Sequence, residues 1–402
     1  MTATAEFVHT RLGGLPRAFW FLWTGTLVNR LGTMVLPFLS LYLTNGRNLP
    51  VTTAGVVLAV VGVGQMFSQL IGGILADRVG RRATLTGGML VTGATMLALG
   101  YAESLTAIVV CSAVLGLAID SFRPASQAIV ADLVPAAERT RAFGLLLWAV
   151  NLGFSVAMVL GGTMAKAGFS TLFWANAATC VLFGLLVWRA IPETGSRVVA
   201  KDAEPGSFAD VLRDRAMLAV FVITLIAGFA FLQCLATLPL AMNADGLSTA
   251  SYGIVMAING IAIVVMQPFI GHRLGGLDRS RTLAVGITVL GIGYGAMTFA
   301  STTWSYAVCV VVWTLGEIII HSVGVALVAD LAPAHLRGRY NGVYGTAWGV
   351  AAFAAPLGGT QLLVHGAPVL WLTCFGLCLA AACGQLLLGP TIRRRTTEGA
   401  AG

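Results

Sequence analysis

The chain has 402 residues, of which 57% are hydrophobic and 10% charged, with a net charge of +8 and a mean hydropathy of +0.87. Soluble domains carry about 25% charged residues, and one globular core cannot hide this much apolar side chain, so the composition excludes a water-soluble enzyme and predicts a polytopic membrane protein. The basic balance calls for no nucleic-acid partner, because a positively charged membrane rim accounts for it.

A spanning helix needs about 20 mostly apolar residues, and twelve stretches qualify: 17–44, 52–76, 83–101, 105–129, 141–165, 169–190, 217–241, 250–272, 282–300, 303–329, 339–364 and 367–389. The runs are long and continuous, which favours helices over barrel strands, and the 49 glycines suit close helix packing in lipid. The expected fold class is an all-α membrane protein with twelve transmembrane helices in two pseudo-symmetric six-helix bundles. The first stretch carries Asn29 and Arg30 at its middle; it is too long for a signal-peptide core, lacks a small-residue cleavage site and is expected to be retained.

The connections alternate in charge. One set is short (TNGRNLP, a few residues around Glu103, KAGFS, NADGLST, VHGAP) and holds only Arg47 and Lys166. The other set, with the two tails, holds 20 of the 24 Lys and Arg residues, among them Arg78, Arg81, Arg82, Arg139, Arg279, Arg337 and Arg393. This bias predicts an integral plasma (inner) membrane protein with both termini in the cytoplasm. The short outer loops leave no domain for a receptor or surface enzyme. The seven cysteines all fall in predicted spans with no metal spacing and no disulfide framework, so packing is their expected role.

Residues 130–144 (VADLVPAAERTRAFG) and 328–342 (VADLAPAHLRGRYNG) match at nine of fifteen positions with an offset of 198. Parallel repeats of this kind build a site between two similar halves in many transporters. The expected organisation is a six-helix bundle over 1–190, a cytoplasmic linker over 191–216 and a second bundle over 217–402. Within the linker, Ser207 to Arg215 has the pattern of a short capped helix.

Between the second and third stretches lies GGILADRVGRR, Gly72 to Arg82, and with it the chain resembles the major facilitator superfamily over essentially its whole length. Gly72 and Gly73 are expected to let two helices approach closely, and Gly80 to permit the turn. In that family the motif's Asp contacts a helix N-terminus of the other half and pairs with a base four residues on, which meets an acid at the end of the fourth helix. The matching positions are Asp77, Arg81 and Asp132, with Arg78 alongside, and the resemblance implies a latch favouring the state closed on the cytoplasmic side. Asp77 and Arg81 would share a face if the turn were helical. In the second half Arg279 and Asp330 recur at the offset, but Gly275 replaces the acid.

The segment Gly316 to Tyr340 resembles the drug:proton antiporter branch, whose tenth-helix glutamate corresponds to Glu317. The fifth-helix signature of that branch departs here: Ala157 and Met158 precede Gly161 and Gly162, the proline is absent, and Ser112 stands where a fourth-helix arginine is expected.

Four charges lie well inside predicted spans: Arg30, Asp120, Arg123 and Glu317. Each costs about 2.5–3.5 kcal/mol at the centre of a helix on insertion scales, so each should face a cavity or a partner. By the resemblance the first, fourth, seventh and tenth helices line the central cavity, Gln233 on the seventh completing the set, and the four charges could meet at one depth with zero sum. Asp120 and Arg123, at i,i+3, could instead neutralise each other, and Pro124 removes the backbone bond to the Asp120 carbonyl and predicts a kink. Burial and a mobile cation set a carboxylate's proton exchange, which makes Glu317 the candidate proton carrier; His321, one turn on, could hydrogen-bond it or act as a relay. Asn29, Gln65, Gln69, Asn151, Asn259 and Gln267 either line the cavity or make interhelical hydrogen bonds; the rings of Trp23, Phe122, Trp148, Phe231, Trp313 and Trp348 could contact an apolar ligand, with packing or an interface belt the expectation for most.

The expected function is secondary active transport, a proton-coupled exporter of lipophilic small molecules or drugs working by alternating access as a monomer. No enzyme motif and no cofactor site are present; the expected partners are a small-molecule substrate, protons and the bilayer. The rival reading is an importer or facilitator of a small metabolite whose anionic group binds Arg30 and Arg123, and a more distant one is a membrane sensor.

Overall fold

The computed structural model describes residues 15–135, 138–193, 208–274, 277–333 and 336–401. Among these, twelve helices are long and apolar enough to span a membrane: Arg17–Gly46, Val51–Arg78, Arg81–Tyr101, Leu105–Leu133, Arg141–Met164, Ser170–Ala190, Arg215–Ala236, Thr249–Gln267, Arg279–Phe299, Thr303–Leu331, Gly338–Val364 and Ala367–Arg395. No strand occurs among the described residues.

Several spans are interrupted. The first runs as an α-helix to Leu31, loosens over Gly32 to Met34, resumes at Val35–Leu41 and ends in a π-turn at Tyr42–Gly46. The fourth is split into Leu105–Ile119 and Phe122–Leu133, and Pro124 is the physical cause: it has no N–H to offer the Asp120 carbonyl, which takes the Arg123 N–H at 3.1 Å instead. The seventh breaks at Thr237 before Leu238–Ala244.

The two chain halves meet through four long spans, the second against the eleventh and the fifth against the eighth. The contact is built on glycine. Gly55 lies against the backbone of Pro356 and the Thr360 hydroxyl, and Gly253 lies against the backbone of Met158 and Gly162, so a methyl at either position would overlap its neighbour. These two contacts are related by the 198-residue offset. At the ends that carry the short loops, Asn45 Nδ2 donates to Asn243 Oδ1 at 3.1 Å, again 198 residues apart, and Phe38 packs edge-on to Tyr252 at 5.3 Å between ring centres.

At the opposite end, which bears the arginine-rich loops, the same helix pairs diverge. A cleft of about 650 Å³ separates the second and eleventh spans between Gln69, Leu70, Gly345 and Thr346, and a second, of about 210 Å³, separates the fifth and eighth between Gly144, Trp148 and Gln267. Gly144 and its repeat partner Gly342 both face open space. The molecule is therefore closed at the short-loop end and open at the basic end.

The last helix continues to Ala401, well past the expected end at 389, because its charged extension is tied down. Arg395 forms a bidentate pair with Asp214, at 2.6 and 3.0 Å, and Tyr340 donates to the same carboxylate at 2.7 Å. Arg393 pairs with Asp278 at 2.9 Å. Of the expected linker helix, Phe208–Arg213 is helical; Ser207, its expected cap, and residues 194–206 lie outside the described residues.

Burial raises the Asp214 carboxyl, but the hydrogen bonds from Arg395 and Tyr340 outweigh it and hold the group below the usual carboxylate range. The folded value thus lies below the unfolded one of about 3.9, so the stabilisation is present above that pH and disappears as pH falls through the folded value. Asp214→Asn is expected to lower the melting temperature in detergent by a few degrees at pH 7, and the gap from the parent is expected to close in strong acid. An equal gap at both pH values would contradict the assignment.

Candidate functional site

The interrupted first and fourth spans place their charges around one pocket inside the first half. This pocket, of about 200 Å³, is lined by Asn29, Arg30, Gln65, Asp120, Arg123, Asn176 and Cys180, with Phe122 and Phe154 beside them. Asp120 is committed within it: Oδ1 pairs with Arg123 Nε at 2.6 Å and Oδ2 accepts from Gln65 Nε2 at 3.4 Å. The loosened backbone there is satisfied by Ser68, whose hydroxyl accepts the Asp120 N–H at 3.1 Å.

Arg30 is left over. It forms no ion pair and no hydrogen bond among the described residues, its Nε is buried without an acceptor, and its guanidinium carbon sits 5.8 Å from the centre of the Phe122 ring. The amides next to it meet only weak acceptors: Asn29 Nδ2 reaches Cys180 Sγ at 3.4 Å and Met89 Sδ at 3.7 Å, and Asn176 Nδ2 reaches Cys180 Sγ at 3.6 Å. Thiol and thioether sulfurs accept weakly, so the pocket holds more donor capacity than it uses.

Glu317 lies in the other half. Its Oε2 accepts from Asn259 Nδ2 at 2.8 Å, and the same amide reaches Thr314 Oγ1 at 2.9 Å. All its polar partners are neutral, and it lines neither the Arg30 pocket nor the cleft below it. Of the four charges expected at one depth, three surround one pocket, and the fourth, Glu317, does not line it and stands among the second-half helices.

His321 does not bond Glu317. Its ring stacks on Trp348 at 4.9 Å and 19° and meets Phe231 edge-on at 5.9 Å, while Trp348 also walls the larger cleft. Gln233 is fully buried; its amide donates to the carbonyls of Phe229 and Ala355 at 3.1 Å and its Oε1 accepts from Thr237 at 2.8 Å. It ties the seventh span to the eleventh instead of lining the cavity. Trp313 is likewise fully buried, and Trp23 donates to the Leu145 carbonyl at 2.9 Å.

At the basic end, Arg81 pairs with Asp132 and donates to the Ala128 carbonyl at 3.1 Å. Arg279 repeats this with Asp330 at 2.5 Å and the Ala326 carbonyl at 2.6 Å, each partner displaced by the 198-residue offset. The link from Asp77 to Arg81 is absent. The helix ends at Arg78, and Gly80 at φ +111° turns the chain before the next helix starts at Arg81. Asp77 and Arg78 are exposed, and Asp77 has no partner among the described residues. Gly72 packs on the Ser121 backbone, but Gly73 faces open space, so only one of the two glycines mediates a helix contact here.

Sequence reasoning missed Thr314 and Asn176, whose signal was only a polar residue in an apolar run, and the Asp214–Tyr340–Arg395 cluster, which joins three segments distant in sequence.

A profile of the Major Facilitator Superfamily matches residues 22–356. The chain is similar to the uncharacterized MFS-type transporter YttB of Bacillus subtilis (strain 168), 26% identical over 94% of this chain and 97% of that one. It is also similar to the multidrug resistance protein MdtH of Aeromonas hydrophila, 25% identical over 88% and 90% of the two chains. Among solved structures, a peptide transporter POT in complex with sulfate superposes with a TM-score of 0.80 at 18% identity, covering 95% and 96% of the two chains; at that identity the likeness concerns the fold.

The openness at one end predicts reactivity. With the seven native cysteines replaced, Gln69→Cys and Thr346→Cys, which line the cleft, are expected to react quickly with a polar maleimide applied from the basic side. Thr360→Cys, at a fully buried position, is expected to stay protected. Rapid labelling at 360 with protection at 69 and 346 would reverse the reading of which end is closed.

Proposed function

This chain belongs to the Major Facilitator Superfamily, and from that premise we propose that it is a proton-coupled exporter of lipophilic small molecules. The basic end faces the cytoplasm, a placement supported by the excess of Lys and Arg on that side. The structure then corresponds to the cytoplasm-open state, ready to load from inside the cell.

The observation that carries the proton coupling is the setting of Glu317. Among the described residues only Asn259 touches its carboxylate, so a proton can occupy or leave it without breaking an ion pair found there. It stands on the tenth span, one turn from His321, whose ring stacks on the cleft-lining Trp348. An acid at this depth is expensive unless it is used. Apolar groups along the cavity and the similarity to a relative named for multidrug resistance support a lipophilic cargo.

The latch at Asp77 fits the same cycle. In the open state it is solvated and unpaired; closing the basic end would bring it toward the start of the eleventh span, where the orphan N–H groups of a helix N-terminus favour a carboxylate. Arg81 and Asp132 already tie the start of the third span, just past the turn after Asp77, to the end of the fourth.

In proteoliposomes with an imposed pH gradient, Glu317→Gln is expected to lose at least about tenfold in gradient-driven flux, roughly 1.4 kcal/mol in rate, while counterflow without a gradient persists. Full gradient-driven flux in that variant would remove the proton assignment, and flux in the parent that ignores the gradient would favour a facilitator. Asp77→Asn is expected to insert normally and transport poorly; normal turnover would remove the latch.

A further inference from the structure

The proposed export leaves open what charge the cargo carries, and the pocket answers this. We propose that the first-half pocket is a carboxylate subsite and that the substrate is an amphipathic monoanion whose acid group pairs with Arg30; this deepens the transport reading above and rests on it for direction alone.

Charge accounting comes first. The pocket's acid, Asp120, spends both oxygens on Arg123 and Gln65, so that pair is closed and neutral. Among the described residues Arg30 then remains as one uncompensated cation with a buried Nε that nothing accepts. A cationic cargo placed here would add a second positive charge, whereas a carboxylate can take two parallel N–H bonds from a guanidinium fork. Asn29 and Asn176, which now donate only to sulfur, can turn to its remaining lone pairs without leaving a strong acceptor stranded.

The apolar body has a place of matching size. A pocket of about 130 Å³, walled by Leu36, Leu58, Val61, Leu232, Leu235 and Pro356, adjoins the charged one and shares Gln65, Leu36 and Leu235 with it. A dry aliphatic cavity of about 150 Å³ accepts a benzene ring. Head and body therefore sit in contiguous compartments, the head on the first half and the body between the halves, with the large cleft as entrance.

The test is equilibrium binding to the purified full chain, with no gradient, so it stands whether or not proton-driven flux is found. The probes are 3-phenylpropionate, its uncharged amide and 3-phenylpropylamine, which share a ring and chain length and differ in head charge. The parent is expected to bind the acid at least about tenfold more tightly than the amide and the amine most weakly. Arg30→Gln is expected to erase the preference by weakening the acid more than the amide, and Arg30→Lys to keep most of it. Equal binding of acid and amide, tighter binding of the amine, an undiminished preference in Arg30→Gln, or no acid binding at millimolar concentration would each overturn the proposal. The comparison among probes on the parent needs no variant to fold.

Discussion

The structure depends on close helix contact between the two halves that runs from the short-loop end, at Gly55 and Gly253, to mid-span, at Gly62 and Gly260. Gly55 and Gly253, equivalent in the repeat, let the second span close on Pro356 and Thr360 of the eleventh and the eighth close on the Met158 and Gly162 backbone of the fifth. In lipid there is little hydrophobic drive between helices, so association relies on such close packing and on a few hydrogen bonds; here the Asn45–Asn243 bond closes the rim. The helix pairs splay toward the basic end, where Gly144 and Gly342 meet nothing. The cavity is the volume of that wedge.

Placing charge in the wedge has a different logic in each half. The first half breaks two helices, at Gly32 and at Asp120, and so exposes polar groups to a pocket where Asp120, Arg123 and Gln65 satisfy one another and Arg30 is left over; irregular backbone is tolerated at membrane depth only where it is buried in protein or lines a cavity. The second half keeps its tenth span continuous from Thr303 to Leu331 and meets Glu317 with the neutral Asn259 amide. The pseudo-symmetric scaffold thus carries asymmetric chemistry: Arg123 corresponds by offset to His321, and Asp120 to Ile318. In the proposed cycle this asymmetry separates the cargo's head group from the proton, each bound to a different rocking half.

Much of this was legible in the sequence, and the limits are physical. The twelve spans and the repeat follow from hydropathy and a matching block, and the pairs Arg81–Asp132 and Arg279–Asp330 appear at the expected offset. Depth along a helix is readable; the direction a side chain faces is not. Gln233 therefore turned out to be a buried tie between two spans, and Glu317 stood apart from Arg30. The i,i+4 inference for Asp77 and Arg81 failed because Gly80 adopts a positive φ and ends the helix between them. The tail helix beyond residue 389 was invisible to hydropathy because its charges are held by Asp214 and Asp278, far away in sequence.

Rigid halves that pivot on a glycine contact must open one end as they close the other. Pulsed electron-electron distance measurements on two spin-label pairs in one lipid preparation test this most directly, one pair at Asn45 and Asn243 and the other at Gln69 and Thr346, in the parent and in Glu317→Gln. The account predicts two populations in inverse relation: where the 45–243 distance is short the 69–346 distance is long, and any shift between parent and variant moves the two in opposite directions. Distances that lengthen together, or a change at one end with none at the other, would contradict it.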